Sequence, residues 1–185
     1  LAVNVEIPLV SNAISRALLN TPELVRQANA RSRKTGEDIL ASVTEQAKLA
    51  GVKLVTDRTV TTLPLLNDVA AHRARYFDIV LIGWEAANEG THTLAEDVIF
   101  GSGRPAILLP ELVKPSAFEH VAIAWDGSRS AARAVADATP LLRRASKISV
   151  LTVSGDKALP ESDPGERLAK GLRERGLPAE AQAVQ

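Results

Sequence analysis

The sequence lacks several features that would assign it to whole classes of protein. Its 185 residues include no cysteine, which excludes disulfides, zinc–thiolate sites and thiol nucleophiles. No apolar run approaches the roughly 18 residues that a membrane-spanning helix needs, so no membrane partner is expected. The given residues contain no basic-then-apolar leader pattern, and a cytoplasmic location is therefore predicted.

The charges are balanced and dispersed. The chain carries 22 basic and 22 acidic residues, and no lysine or arginine cluster is long enough to follow a phosphate backbone. No nucleic-acid partner is expected for this reason. With 45% hydrophobic residues, the composition is typical of a globular protein with a packed core.

Strand patterns alternate with helix patterns along the chain. Apolar or β-branched runs predict strands at 1–7, 52–61, 78–83, 105–110, 120–125, 147–153 and 179–184. Helical spacing predicts helices at 21–50, 62–76, 91–100, 128–145 and 164–175. This alternation indicates an α/β fold of parallel βαβ units with right-handed crossovers.

Two helices contain residues that disfavour helix. Gly36 lies in the polar middle of the first helix and is expected to divide it into two. Pro140 lies within the apolar face of the 128–145 helix and is expected to kink or break it.

The strand–helix cycle restarts after a polar segment. Residues 111–117 form the best linker candidate, so we predict a first domain at 1–110 and a second at 118–185. The first domain is expected to lack its beginning and the second its end, as in a piece of a longer protein.

The stretch Asp126-Gly127-Ser128 stands where a predicted buried strand meets a helix. Open α/β sheets place ligands outside the carboxyl ends of their strands. One interpretation is structural: Asp126 or Ser128 caps the helix, and Gly127 permits the tight turn. The other is a ligand site, in which backbone N–H groups attract phosphate and Asp126 accepts hydrogen bonds from a base or ribose.

A second candidate is the segment GWEAANEGTHT at 83–93, which follows the most buried predicted strand. Its glycines, Gly83 and Gly90, precede a helix and suggest a phosphate loop. Glu85 and Glu89 lie between them and would repel a polyphosphate. The three histidines have no metal-ligand spacing, and we identify no catalytic set and no metal site.

These segments resemble the universal stress protein family. The similarity rests on FEHVAIAWDGSRSAARAVADATPLLRRA at 118–145, and on DIVLIG at 78–83 with GRPAILLP at 103–110. The chain looks most like the tandem form, with two such domains. The resemblance implies, for each domain, an open parallel five-stranded sheet flanked by helices, a Rossmann-like fold of the adenine-nucleotide alpha-hydrolase type.

The resemblance also implies a nucleotide site. Family members that bind ATP carry a Gly-x-x-Gly loop, nine residues and a Gly-Ser/Thr pair. Gly83 matches the first glycine and Thr93 the hydroxyl position, but Ala86 and His92 replace the other two glycines. Asp126 matches the family's acid on the adenine–ribose side, with Gly127 and Ser128 beside it.

The resemblance therefore implies a regulatory stress-response protein that binds an adenine nucleotide such as ATP, mainly in the second domain. It further implies self-association as a dimer through the last strand of each domain, which is Pro105–Pro110 in the first. The alternatives are an interaction module without a nucleotide and, less favoured, a slow ATP hydrolase.

Overall fold

The computed structural model describes residues 2–5, 21–112, 118–153 and 163–184. It divides the chain into two compact units, Leu1–Glu111 and Leu112–Gln185. The division falls at the start of the predicted 111–117 linker, most of which lies outside the described residues.

Unit 1 alternates strands and helices in the predicted order. Its elements are β1 (Ala2–Val5), α1 (Thr21–Leu49), β2 (Arg58–Thr61), a 3₁₀ turn (Leu63–Leu65), α2 (Leu66–Ala74), β3 (Val80–Trp84), α3 (Glu89–Ser102) and β4 (Ala106–Pro110). β1 pairs in parallel with β2, and β3 pairs in parallel with β4.

Unit 2 contains β5 (His120–Ala124), α4 (Arg129–Leu142), β6 (Lys147–Val153), α5 (Pro164–Glu174) and β7 (Ala179–Val184). Its strands form one parallel sheet in the order β5-β6-β7. The predicted α/β class with parallel strands is therefore confirmed in both units.

The five-stranded sheet expected for each domain is wrong for the described residues. Unit 1 holds two separate two-stranded sheets, and unit 2 holds one three-stranded sheet. A sheet extends only where neighbouring strands share a ladder, and among the described residues β1 pairs with β2 alone and β3 with β4 alone.

Each unit has its own apolar core between a sheet and its helices. In unit 1 the core lies between β3 and the helices α2 and α3, and its buried members are Ala71, Ala74, Ile82, Ala95 and Val98. In unit 2 it lies between the sheet and the helices α4 and α5. Its largest fully buried side chains are Leu142, Ile148, Leu172 and Val150.

Neither predicted helix break occurs. Helix α1 runs continuously through Gly36 over 29 residues. The adjacent Glu37 forms an exposed ion pair with Arg58 of β2 (2.9 Å). Helix α4 contains Pro140 but continues to Leu142, because a proline in the last turn removes only one backbone hydrogen bond.

A polar network crosses the sheet of unit 2 from strand to strand. Ser149 is buried, its hydroxyl donates to Glu180 Oε1 (3.4 Å), and His120 Nε2 lies 2.9 Å from the same hydroxyl. Lys147 Nζ lies 2.6 Å from Glu180 Oε1. The hydrogen bond from Lys147 lowers the pKa of Glu180, partly opposed by desolvation.

This network predicts an acid-sensitive contribution to stability. The pKa of Glu180 is lower in the folded chain, so its stabilising effect is present above the unfolded pKa and lost as the pH falls through the folded one. Between pH 7 and about pH 3, Glu180→Gln should therefore lose less stability than the wild type in urea unfolding. Glu174→Gln, which removes the same charge from α5, is the control. Equal acid losses in the wild type and Glu180→Gln would contradict the prediction.

Candidate functional site

The junction between β5 and α4 is built as a helix cap. Asp126 Oδ1 accepts a hydrogen bond from the Ser128 backbone N–H (2.8 Å), and Ser128 Oγ accepts one from the Ala131 N–H (3.1 Å). Gly127 has a backbone φ of 71°, a left-handed conformation that residues other than glycine adopt only at an energetic cost. These contacts are those of the capping interpretation, and they leave the Asp126 side chain exposed at the carboxyl end of β5.

Two buried polar atoms lie beside this junction. The backbone N–H of Trp125 donates to the backbone carbonyl oxygen of Leu151 (2.8 Å). This bond extends the β5–β6 ladder by one residue and places Trp125 opposite Thr152. Trp125 Nε1 and Thr152 Oγ1 are both buried, and neither has a hydrogen-bond partner among the described residues. Sequence reasoning did not identify this pair, because its position depends on the register of the ladder.

The first turn of α5 closes one side of the same edge. A Cβ atom on Gly165 would lie 2.6 Å from Thr152 Oγ1, so only glycine fits where this helix meets β6. Asp163 caps the helix by accepting from the Glu166 N–H (3.0 Å). The carboxyl edge of unit 2 thus brings together an exposed carboxylate, two helix starts and two buried polar atoms without a partner in the part of the chain that the structure describes.

The second predicted site lies in unit 1, around the start of α3. Gly83 is part of β3, while Gly90 and Thr93 lie in the first turns of the helix. Asn88 is the N-cap, and its Oδ1 accepts from the N–H groups of Gly90 (3.0 Å) and Thr91 (3.3 Å). Thr93 Oγ1 donates to Glu89 O (3.0 Å) within the helix. The donors that a phosphate would need are therefore already bonded to the chain.

Other side chains complete this closed loop. Asn88 Nδ2 donates to Glu85 Oε2 (2.6 Å), and His92 Nε2 lies 3.0 Å from Glu85 O. The His92 ring stacks on Trp84, with centroids 4.1 Å apart and planes 7° from parallel. Sequence reasoning missed Asn88, although an asparagine directly before a helix is a recognisable capping signal.

The six predicted ligand residues fall into two sets. Asp126, Gly127 and Ser128 lie together in unit 2, whereas Gly83, Gly90 and Thr93 lie in unit 1. The part of the chain that the structure describes contains no group of three or more His, Asp or Glu side chains placed to hold a metal ion. None of the described helices is long and apolar enough to cross a membrane.

Comparison with known proteins identifies the fold. No family model matches the sequence, and no curated protein matches it. Among solved structures, the chain is similar to a universal stress protein from Archaeoglobus fulgidus DSM 4304, with a TM-score of 0.66 and 16% sequence identity. The match covers 97% of this chain and 64% of that one. The predicted resemblance is therefore confirmed for the fold: this chain has the α/β architecture of a universal stress protein and spans 64% of that protein's length.

The capping role of Asn88 is testable by substitution. Asn88→Ala should destabilise unit 1 by about 1 kcal/mol, since the N–H groups of Gly90 and Thr91 lose their acceptor. Asn88→Ser keeps a capping oxygen but loses the contact with Glu85, and should recover most of the loss. Urea unfolding monitored by circular dichroism measures both. Equal destabilisation by the two variants would show that the Glu85 contact, and not the cap, is what matters.

Proposed function

We propose that this chain is a regulatory protein of the universal stress type, and that unit 2 binds an adenine nucleotide at the carboxyl ends of β5 and β6. The observation that carries the proposal is a pair of buried polar atoms at that edge, Trp125 Nε1 and Thr152 Oγ1, which have no hydrogen-bond partner among the described residues. Buried polar groups almost always have a hydrogen-bond partner. Both atoms are closed off from solvent in this structure, so a ligand with polar groups at its base and ribose would supply these partners only if the edge opened to admit it.

The surroundings of these atoms support a nucleotide more than an apolar ligand. Asp126 presents an exposed carboxylate, which can accept hydrogen bonds from ribose hydroxyls or an exocyclic amine. Gly127 has no side chain that would keep a ligand from the backbone of the turn, and even a Cβ atom added there would meet nothing within 4 Å. Open α/β sheets place their ligands at this edge.

The loop of unit 1 is the weaker candidate. Gly83, Gly90 and Thr93 would bind a phosphate only after Asn88 released the N–H groups of the first turn. Glu85 and Glu89 add negative charge to the same loop. We therefore assign the nucleotide to unit 2, and we propose no hydrolytic step.

Titration calorimetry with ATP, ADP and AMP tests the nucleotide site. Asp126→Asn keeps an oxygen that can accept from the Ser128 N–H, so the turn should survive while the charge is lost. We expect the dissociation constant to rise about tenfold or more, the effect of losing a hydrogen bond to a charged group. Asp137→Asn, which removes a carboxylate paired with Arg133 on α4 (2.8 Å), is the matched control.

The absence of heat with all three nucleotides would contradict this site, as would equal losses in Asp126→Asn and Asp137→Asn. Product formation from ATP in the same samples would instead favour the slow hydrolase.

A second candidate function is self-association through β4, for which the specific observation is that one edge of this strand is unpaired among the described residues. The Val80 N–H donates to Pro105 O (2.9 Å) and the Glu111 N–H to Trp84 O (3.2 Å). In a regular parallel ladder, these bonds mean that the backbone N–H and C=O groups of the odd-numbered β4 residues point toward β3. The backbone N–H of Leu108 then points away from β3. An unpaired strand edge of this kind is a template for a second chain.

Proline at position 108 tests this association. Leu108→Pro removes the outward N–H without removing a β3–β4 hydrogen bond, and should weaken a β4-mediated dimer at least tenfold, by about 1.4 kcal/mol. Leu108→Ala retains the N–H and is the control. Sedimentation equilibrium gives the dissociation constants. A dimer that both variants leave intact would contradict association through β4.

A further inference from the structure

Helices α2 and α3 of unit 1 pack against each other and leave a groove along their seam, with a volume of about 500 Å³. Its lining residues are Asp68, Ala71 and His72 of α2, Arg75 at the C-cap of α2, and Asp97, Phe100 and Gly101 of α3. These residues recur at intervals of three and four, so each helix contributes one face. The distance along the helix from Asp68 to Arg75 is about 10 Å, the length of about three residues of extended chain.

Polar contacts between the two helices fix both ends of this groove. Asn67 Nδ2 donates to Asp97 Oδ2 (2.7 Å) at one end. Arg75 donates to Gly101 O at the other, through Nε (3.3 Å) and Nη2 (2.9 Å). The helices also approach closely, since a Cβ atom added to Gly101 would lie 3.2 Å from the Cβ of Ala71. The groove is therefore formed by the packing of unit 1 itself.

The charge that this groove offers to a ligand is negative. Asp68 has no hydrogen-bond or ion-pair partner among the described residues. Asp97 accepts from Asn67 through Oδ2, which leaves Oδ1 for a second donor. The guanidinium of Arg75 lies at the other end of the groove and is bonded to a carbonyl in the last turn of α3. The partial negative charge at that helix end offsets the positive charge of Arg75.

An exposed aromatic ring adjoins these carboxylates. Phe100 is 85% exposed and lies one helical turn after Asp97, so the two side chains are neighbours on the surface of α3. A single exposed apolar residue is ordinary, but an aromatic ring also attracts a cation to its face. A planar guanidinium can stack on such a ring and donate to a carboxylate at the same time. The groove therefore combines the two features that bind a guanidinium group.

We propose that the α2–α3 groove is a docking site for a partner protein, and that it receives an arginine side chain of that partner. The guanidinium stacks on Phe100 and donates to Asp68 and Asp97. The partner's backbone runs along the seam over Ala71 and Gly101, where the small residues leave room for it. Arginine fits better than lysine, because its planar fork can bond both oxygens of a carboxylate. This site does not depend on the nucleotide site proposed for unit 2.

The size of the groove determines the strength of this contact. A segment of about three residues buries much less than the roughly 1,200 Å² of a stable interface. The carboxylates are open to water, and exposed ion pairs contribute little free energy. We therefore expect a short arginine peptide to bind in the millimolar range, and more tightly at low salt than at high salt.

NMR titration of the full chain measures this binding. The probe is the blocked peptide acetyl-Gly-Arg-Gly-amide, and the matched control carries citrulline, which has nearly the same shape as arginine and no charge. The arginine peptide should shift the backbone signals of residues 68–75 and 97–101. Its dissociation constant should be about tenfold lower than that of the citrulline peptide, because citrulline loses both the ion pairs and the attraction to the ring. A peptide with glutamate in the middle is the second control.

Paired substitutions on α3 separate the groove from the general charge of the surface. Asp97→Asn removes a lining carboxylate but keeps an oxygen that can accept from Asn67. Glu96→Gln removes the neighbouring carboxylate, which does not line the groove. We expect Asp97→Asn to raise the dissociation constant of the arginine peptide about threefold, and Glu96→Gln to leave it nearly unchanged.

Phe100→Leu tests the aromatic contact. Leucine keeps an apolar side chain but has no ring face, so the dissociation constant of the arginine peptide should rise about threefold. Tyr76→Leu removes an aromatic ring that is 75% exposed and does not line the groove, and is the control. Urea unfolding of each variant checks that weaker binding does not reflect a loss of folded protein.

Each outcome of the titrations decides for or against this site. Signal shifts confined to the two helix segments, with arginine bound more tightly than citrulline, support it. The absence of shifts with the arginine peptide overturns it, as do equal dissociation constants for arginine and citrulline. Equal losses in Asp97→Asn and Glu96→Gln also overturn it. Tighter binding of the glutamate peptide overturns it in favour of an acidic partner that binds through Arg75.

Discussion

The arrangement of this chain depends on how parallel strands are satisfied. A parallel strand needs a hydrogen-bonded neighbour along its edge and an apolar layer on each face. Among the described residues, each strand of unit 1 has one hydrogen-bonded neighbour, and in unit 2 only β6 has a neighbour on both edges. The core and the candidate site both follow from where the ladders stop.

The same constraint explains why the two units differ in chemistry. In unit 2 the ladder continues past Ala124 to Trp125, which brings an indole N–H and the Thr152 hydroxyl into a buried position at the carboxyl edge. In unit 1 the chain leaves β3 and turns at once into a loop that Asn88 and His92 close. The carboxyl edge of unit 2 thus keeps two buried polar atoms without a partner among the described residues. In the loop of unit 1, by contrast, the Asn88 side chain accepts from the N–H groups of the helix start.

Much of the fold could be predicted from the sequence, and the failures have physical causes. The strands at 147–153 and 179–184 have the predicted bounds, because apolar runs between clear turn signals leave little choice of position. The predicted strand at 52–61 shortens to Arg58–Thr61, since β-branched residues form a strand only where a neighbour pairs with them. The lack of a ladder between β1 and β3 among the described residues could not be predicted from strand or helix patterns, because pairing depends on which strands meet in space.

The site was predictable only in its local part. Asp126-Gly127-Ser128 is a contiguous signal, and its turn forms through contacts between near neighbours. The Trp125–Thr152 pair joins residues far apart in the chain, and Gly165 meets Thr152 through a packing contact that no short segment encodes. Local chemistry can be read from one sequence, whereas register cannot.

The self-capped loop of unit 1 has a consequence for how the protein responds to its surroundings. A ligand stabilises a fold in proportion to the logarithm of its free concentration, and only where it binds the folded state. Because Asn88 already accepts from the N–H groups of Gly90 and Thr91, the first turn of α3 needs no ligand to satisfy them. In a chain whose other half does bind one, a rise in metabolite level would strengthen that half alone, and the order in which the two halves unfold would report the concentration.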